Sequence, residues 1–184
     1  MSKPKVLLII HSMALGGGEK LCIELATFCQ SIGYEPHILV LSRIKKEYHD
    51  DKLPQMGIKL HRINIYNIRR IMHLGKFFKA LFWKYIVLKN INSFYKSVHV
   101  IGVTNLVNLL SENLIPSEKV ISWHITNRVQ YTEEKLAFPE SIFQNKKNHF
   151  VLMNPFQKEE ILSHYKDVQC QFTDFKLFIH HAEH

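Results

Sequence analysis

Between Lys52 and Ser111 the chain has no aspartate or glutamate at all. Ten basic side chains fall in that stretch: Lys52, Lys59, Arg62, Arg69, Arg70, Lys76, Lys79, Lys84, Lys89 and Lys96. They exceed the formal net charge of +8 for the whole 184 residues, so the remainder is slightly acidic. A segment of one sign, with no compensation inside it, points to an anionic partner: a membrane surface, a nucleic acid or a phosphate-bearing substrate. Cysteine is also scarce. Cys22, Cys29 and Cys170 form no C-x-x-C pair, which argues against a disulfide or a metal site. Reduced, buried thiols in a cytoplasmic protein are the expectation. Long apolar runs are missing too. Val6–Ile10 is cut short by His11, Ser12 and three glycines, unlike a signal peptide. No run reaches about 18 apolar residues, so no spanning helix is expected. Repeats and low-complexity linkers are absent. The length suits one sizeable core with an excursion from it.

What is present alternates between strand and helix. Val6–Ile10 is a continuous apolar run, as in a parallel strand buried on both faces. Gly16-Gly17-Gly18 breaks the chain, and Glu19 follows, where a carboxylate suits the positive end of a helix. Leu21, Cys22, Leu25, Phe28, Cys29 and Ile32 recur at helical spacing, and Gly33 suits the helix end. His37–Leu41 is a second strand. Residues 43–51 read as a polar loop or short helix. Ile58–Ile65 alternates as a third strand, Val98–Val103 reads as a fourth, KVISWHIT as a fifth and His149–Met153 as a sixth. Helices are expected near 68–88, 106–113, 133–136 and 156–165. Residues 168–184 show no period. The pattern predicts an α/β protein: a Rossmann-like parallel sheet flanked by helices.

The glycine turn is the first candidate for chemistry. Without side chains, Gly16, Gly17 and Gly18 let a diphosphate approach the backbone. The N–H groups that open the next helix have no partner inside it. The alternative is a tight turn with no ligand. The spacing is not G-x-G-x-x-G, and no Lys-Ser/Thr pair follows, so neither a dinucleotide fingerprint nor an ATP-binding P-loop is indicated.

The segment KVLLIIHSMALGGGEKLCIELATFCQSIGYEPHILVL resembles the start of a family 4 glycosyltransferase of the GT-B architecture. Gly16-Gly17-Gly18-Glu19 matches that family's G-G-x-E, and Gly33 its turn into the second strand. VHVIGVT, KVISWHIT and HFVLMNPFQKEEI are similar to its later strands. The resemblance implies two Rossmann-like domains with the reaction between them. Gly16, Gly17 and Gly18 would face the donor diphosphate. His124 would lie near the transferred sugar as the catalytic residue. His11 and Glu19 would border the acceptor cleft. No metal or other cofactor is implied; the substrates would be a nucleotide-diphosphate sugar and a glycan or lipid-linked acceptor. The alternative for either histidine is a structural place at a strand end.

The resemblance also exposes a departure. The family's second domain is glycine-rich and carries Glu-x7-Glu, whereas no glycine follows Gly102. Glu159 and Asp167 have seven residues between them, but their surroundings differ. The expectation is therefore an acceptor-side domain over residues 1–166, the N-terminal half of a GT-B architecture. It would carry a basic excursion at 68–96 and a tail at 167–184, and the donor-binding domain would be absent. Such a chain would be inactive without that domain or a separate donor-binding subunit. The rival expectation is a non-catalytic Rossmann-like module that binds a partner or a membrane.

Two further features stand outside the turn. At helical spacing, Arg69, Lys76, Lys79 and Lys84 fall on one side of the excursion, with Ile71, Leu74, Phe78, Leu81, Phe82 and Tyr85 on the other. Arg69, Arg70, Lys76, Lys79, Trp83 and Lys84 would face anionic headgroups if this helix docks peripherally on the cytoplasmic face of a membrane. The alternative is a core helix with a solvated basic face. No RNA-binding or helix-turn-helix signature accompanies the charge, so nucleic acid is not expected. His180, His181 and His184 invite a metal reading, but no further ligands can be named, and a tail without a structural role is preferred.

Overall fold

A computed structural model describes residues 2–42, 46–62, 94–102, 119–125 and 140–175. The elements in chain order are β1 (Lys5–Ile10), α1 (Gly17–Ser31), β2 (Glu35–Val40), α2 (Lys52–Gln55), β3 (Lys59–Arg62), β4 (Tyr95–Ile101), β5 (Val120–His124), α3 (Glu140–Gln144), β6 (His149–Leu152), α4 (Pro155–His164) and β7 (Gln171–Asp174). The strands form one sheet in the order β3-β2-β1-β4-β5-β6-β7. Every pairing is parallel. The protein thus has the α/β, Rossmann-like fold that the strand–helix alternation predicts.

Strand alternation sends successive side chains to opposite faces of the sheet, and each face has its own core. Val6, Leu8, Ile10, Ile38, Val40 and Trp123 pack with Leu21, Cys22, Ala26 and Cys29 of α1. Leu7, Ile9, Leu39, Val98, Val100, Phe150 and Leu152 pack with Ile142 and Phe143 of α3 and Ile161 of α4. Cys22, Cys29 and Cys170 are buried free thiols, as expected. Burial pushes Cys22 up to about 12, with Glu19 adding to the effect, and Cys170 up to about 11. Gly33 takes a positive φ of 89° just beyond α1, as its proposed place at the helix end requires.

Three differences from the sequence reading are informative. The segment 168–184 contains β7, which pairs with β6 although nothing periodic announces it. Only Phe172 of its four residues is part-buried, so no apolar alternation marks the strand. Residues 46–51 form a turn-rich loop exposed at Lys46, Tyr48 and Asp51, as read, but the side chains of Glu47 and Asp50 are tucked against Arg62, which the sequence did not announce. Nor is the basic stretch wholly uncompensated. Arg62 pairs with Glu47 and Asp50, and Lys59 pairs with Glu35, three carboxylates that all precede the stretch in sequence. The excursion with Arg69, Arg70, Lys76, Lys79, Trp83 and Lys84, the helices expected near 106–113 and 133–136, and His180, His181 and His184 lie outside the described residues.

Candidate functional site

In a parallel sheet all strands end on one edge, and a crevice opens where neighbouring strands send their connections to opposite sides. Here that point lies between β1 and β4, with β2 and β3 on one side and β5, β6 and β7 on the other. The glycine turn leaves β1 at this point. Gly16 caps α1 in an extended conformation with no side-chain hydrogen bond, and α1 then runs for 15 residues. Among the described residues a Cβ on Gly17 would meet nothing within 4 Å, so they leave the turn open there.

Glu19 folds back over the turn. Its Oε1 accepts a hydrogen bond from the Ser12 hydroxyl at 2.7 Å. Its Oε2 lies so near Gly16 that a methyl at that position would stand 2.5 Å away. A carboxylate of the chain therefore sits beside the positive end of α1. His11, the residue after β1, is exposed and one position before Ser12.

The crevice has an apolar wall that the sequence reading missed. Ile125 follows β5, and its Cδ1 would be 3.3 Å from a Cβ on Gly18 and 2.5 Å from one on Gly102. Gly102 ends β4 at a φ of +63°, which glycine adopts without strain. The first turn of α1 and the ends of β4 and β5 thus meet around one isoleucine. A local signal existed in the glycine after β4, but the contact joins residues far apart in sequence.

His124 closes β5 and is buried. Trp123 packs on the α1 face, so alternation directs the His124 side chain to the opposite face, beside α4. Burial lowers its pKa, while the negative charge of Glu160 on α4 acts against that shift. The imidazole is accordingly neutral at neutral pH. The structure therefore brings Gly18, Gly102 and Ile125 together, and places His124 next to them in sequence but on the other face of the sheet.

Its carbonyl is held by α4. The buried Gln157 side chain donates Nε2–H to the His124 carbonyl at 2.9 Å. The same side chain accepts from the Met153 N–H at 2.7 Å and the Asn154 N–H at 3.2 Å. Asn154 Oδ1 accepts from the Phe156 N–H at 2.9 Å, and Pro155 occupies the first helical position. The start of α4 is thus fully capped.

A buried ion group ties down the other side of the crevice. Arg62 at the end of β3 grips Asp50 with one guanidinium nitrogen at 2.5 and 2.6 Å and reaches Glu47 at 2.9 Å. Burial alone would lower the arginine, but the hydrogen bonds it donates to Asp50 and Glu47 raise it. Glu47 also accepts from the Met13 N–H at 2.8 Å. Asp50 and Glu47 were read only as part of a polar run, so this group was invisible in the sequence.

The opposite edge carries a second polar cluster, far from the turn. His37 Nε2 meets Glu35 at 3.1 Å, and its Nδ1 meets the Tyr95 hydroxyl at 2.8 Å and His61 Nε2 at 3.2 Å. Hydrogen bonds from Lys59 and His37 hold the Glu35 carboxyl at about 2. Burial lowers His61, helped by the charges of His37 and Lys59. These groups satisfy one another. Among the described residues no group of three or more His, Cys, Asp or Glu is arranged to hold a metal ion.

No family model matches the chain, and no curated protein is significantly similar to it. What the fold establishes is a Rossmann-like α/β sheet with an uncapped glycine turn at its switch point. Among the described residues no helix is long and apolar enough to cross a membrane.

Proposed function

We propose that the chain is the acceptor-side domain or subunit of a GT-B-type glycosyltransferase. It would move a sugar from a nucleotide-diphosphate donor to a glycan or lipid-linked acceptor in surface polysaccharide synthesis. The observation that carries the reading is the place of Gly16-Gly17-Gly18: an uncapped helix start, open at Gly17, at the sheet's switch point. The free N–H groups there suit the charge that develops on a leaving diphosphate. Ile125 would form the apolar wall beside it. The resemblance assigns His124 to the reacting sugar, but its side chain is buried on the face of the sheet opposite the turn, which leaves His11 and Glu19 as the side chains bordering the proposed acceptor cleft. Glu19 and a diphosphate compete for the same positive helix end, so binding displaces the carboxylate from Gly16.

The donor half of the reaction belongs to a second domain or a separate subunit. The basic stretch at 69–84 would hold the protein peripherally on the cytoplasmic face of an anionic membrane. The test is titration of the purified chain with nucleotide-diphosphate sugars, alone and with a candidate donor-binding partner. Binding or turnover in the pair supports the enzyme reading. Silence in both arms leaves the non-catalytic module. Sedimentation with anionic vesicles should be salt-sensitive; equal recovery with neutral lipid would count against an electrostatic anchor.

A further inference from the structure

We infer that Glu47, Asp50 and Arg62 act as a positioning clamp that sets where the glycine turn stands. Met13, three residues before Gly16, is fully buried and held at both of its backbone groups by the loop after β2. Its N–H donates to Glu47 Oε2 at 2.8 Å, and its carbonyl accepts from the His49 N–H at 3.2 Å. Glu47 is itself fixed in two ways. Its carboxylate pairs with Arg62, and its N–H donates to Asp50 Oδ2 at 3.2 Å. Arg62 belongs to β3, so its guanidinium starts from the sheet and not from a loop. The connection runs from the sheet through Arg62, through two carboxylates, to Met13 and so to the turn. The side chain of Glu47 is only 4% exposed, which means that water cannot replace a lost contact there. The far end of the turn is tied separately, by Ser12 to Glu19.

The consequence for phosphate binding rests on the proposed function, whereas the positioning itself does not. Hydrogen–deuterium exchange on the full chain separates the two. In Glu47→Ala the peptide spanning residues 11–18 should exchange faster, led by the Met13 amide, which the bond to Glu47 protects and which should speed up at least tenfold, with β6 and α4 unchanged. Glu47→Gln keeps an acceptor for the Met13 N–H and should show a smaller rise. Arg62→Lys keeps the charge but loses the fork geometry, and should raise exchange at 11–18 a few-fold even if the alanine variant fails to fold. Unchanged exchange at 11–18 in folded variants would overturn the clamp. So would a uniform rise across the chain, which marks a general stabiliser. A parallel titration with inorganic pyrophosphate should weaken about tenfold in Glu47→Ala. If the wild-type chain does not bind pyrophosphate, the phosphate reading of the turn fails, and the exchange result decides the clamp alone.

Discussion

Two helices begin on the same edge of the sheet, one on each side of the switch point, and their first turns are built in opposite ways. The start of α4 is closed. Asn154 caps it, Pro155 removes one donor, and the buried Gln157 ties the end of β6 to the carbonyl of His124. The start of α1 is open. Three glycines offer no cap, and the nearest anion is the Glu19 carboxylate of the helix's own first turn. Both solutions suit a helix N-terminus, but only the second leaves backbone donors that a ligand can use. The capped helix serves as scaffold, and the uncapped one carries the proposed site.

The comparison breaks most severely at Gln157. Its replacement by alanine strands the N–H groups of Met153 and Asn154 and the carbonyl of His124. The expected loss is roughly 4 kcal/mol at 1–3 kcal/mol for each unsatisfied group, read by denaturant unfolding. A loss under about 1 kcal/mol would mean that water reaches these groups.

Acid should loosen the same side of the sheet. His99 on β4, His124 on β5 and His149 on β6 all have pKa values lowered by burial, His99 to about 4. A histidine depressed in the folded state binds more protons when unfolded. Stability is therefore complete above the ordinary value near 6.5 and falls as pH drops below it. For His99 the loss approaches about 3 kcal/mol once pH is well below 4. Glu35, held at about 2, adds a later loss as pH falls below the ordinary carboxylate range. Melting temperature followed from pH 7 to pH 4 should decline, and a flat profile would contradict these shifts.

Much of this architecture is legible in the chain. Val6–Ile10, the α1 positions Leu21, Cys22 and Cys29, and His37–Leu41 fall at the right periods because each is buried where it stands, whereas Phe28 and Ile32 share the helical spacing but are exposed. β7 is not legible, since an edge strand with one part-buried residue leaves no pattern. The turn at Gly16–Gly18 announces itself because backbone freedom is a property of residue type. Its surroundings do not. Ile125 matters only because β4 and β5 bring it against Gly18 and Gly102. Arg62 looks like one more charge in a basic stretch until the fold sets it beside Glu47 and Asp50.

Smaller changes sharpen the contrast between the two helix starts. Asn154→Ala should cost about 1 kcal/mol, the usual worth of an N-cap, and should leave pyrophosphate affinity unaltered. Glu19→Gln removes the resident charge at α1. It should cost about 0.5 kcal/mol in stability while tightening pyrophosphate binding two- to fivefold. Weaker binding in that variant would show that Glu19 recruits the ligand and does not compete with it.

The central claim is that the open turn of α1 receives a phosphate group. Gly17 tests it most directly, because a Cβ there meets nothing within 4 Å among the described residues. Gly17→Ala should keep the wild-type melting temperature and lower the affinity for pyrophosphate, or for a nucleotide-diphosphate sugar, at least tenfold in calorimetric titration. Equal affinity in the two proteins would contradict the account.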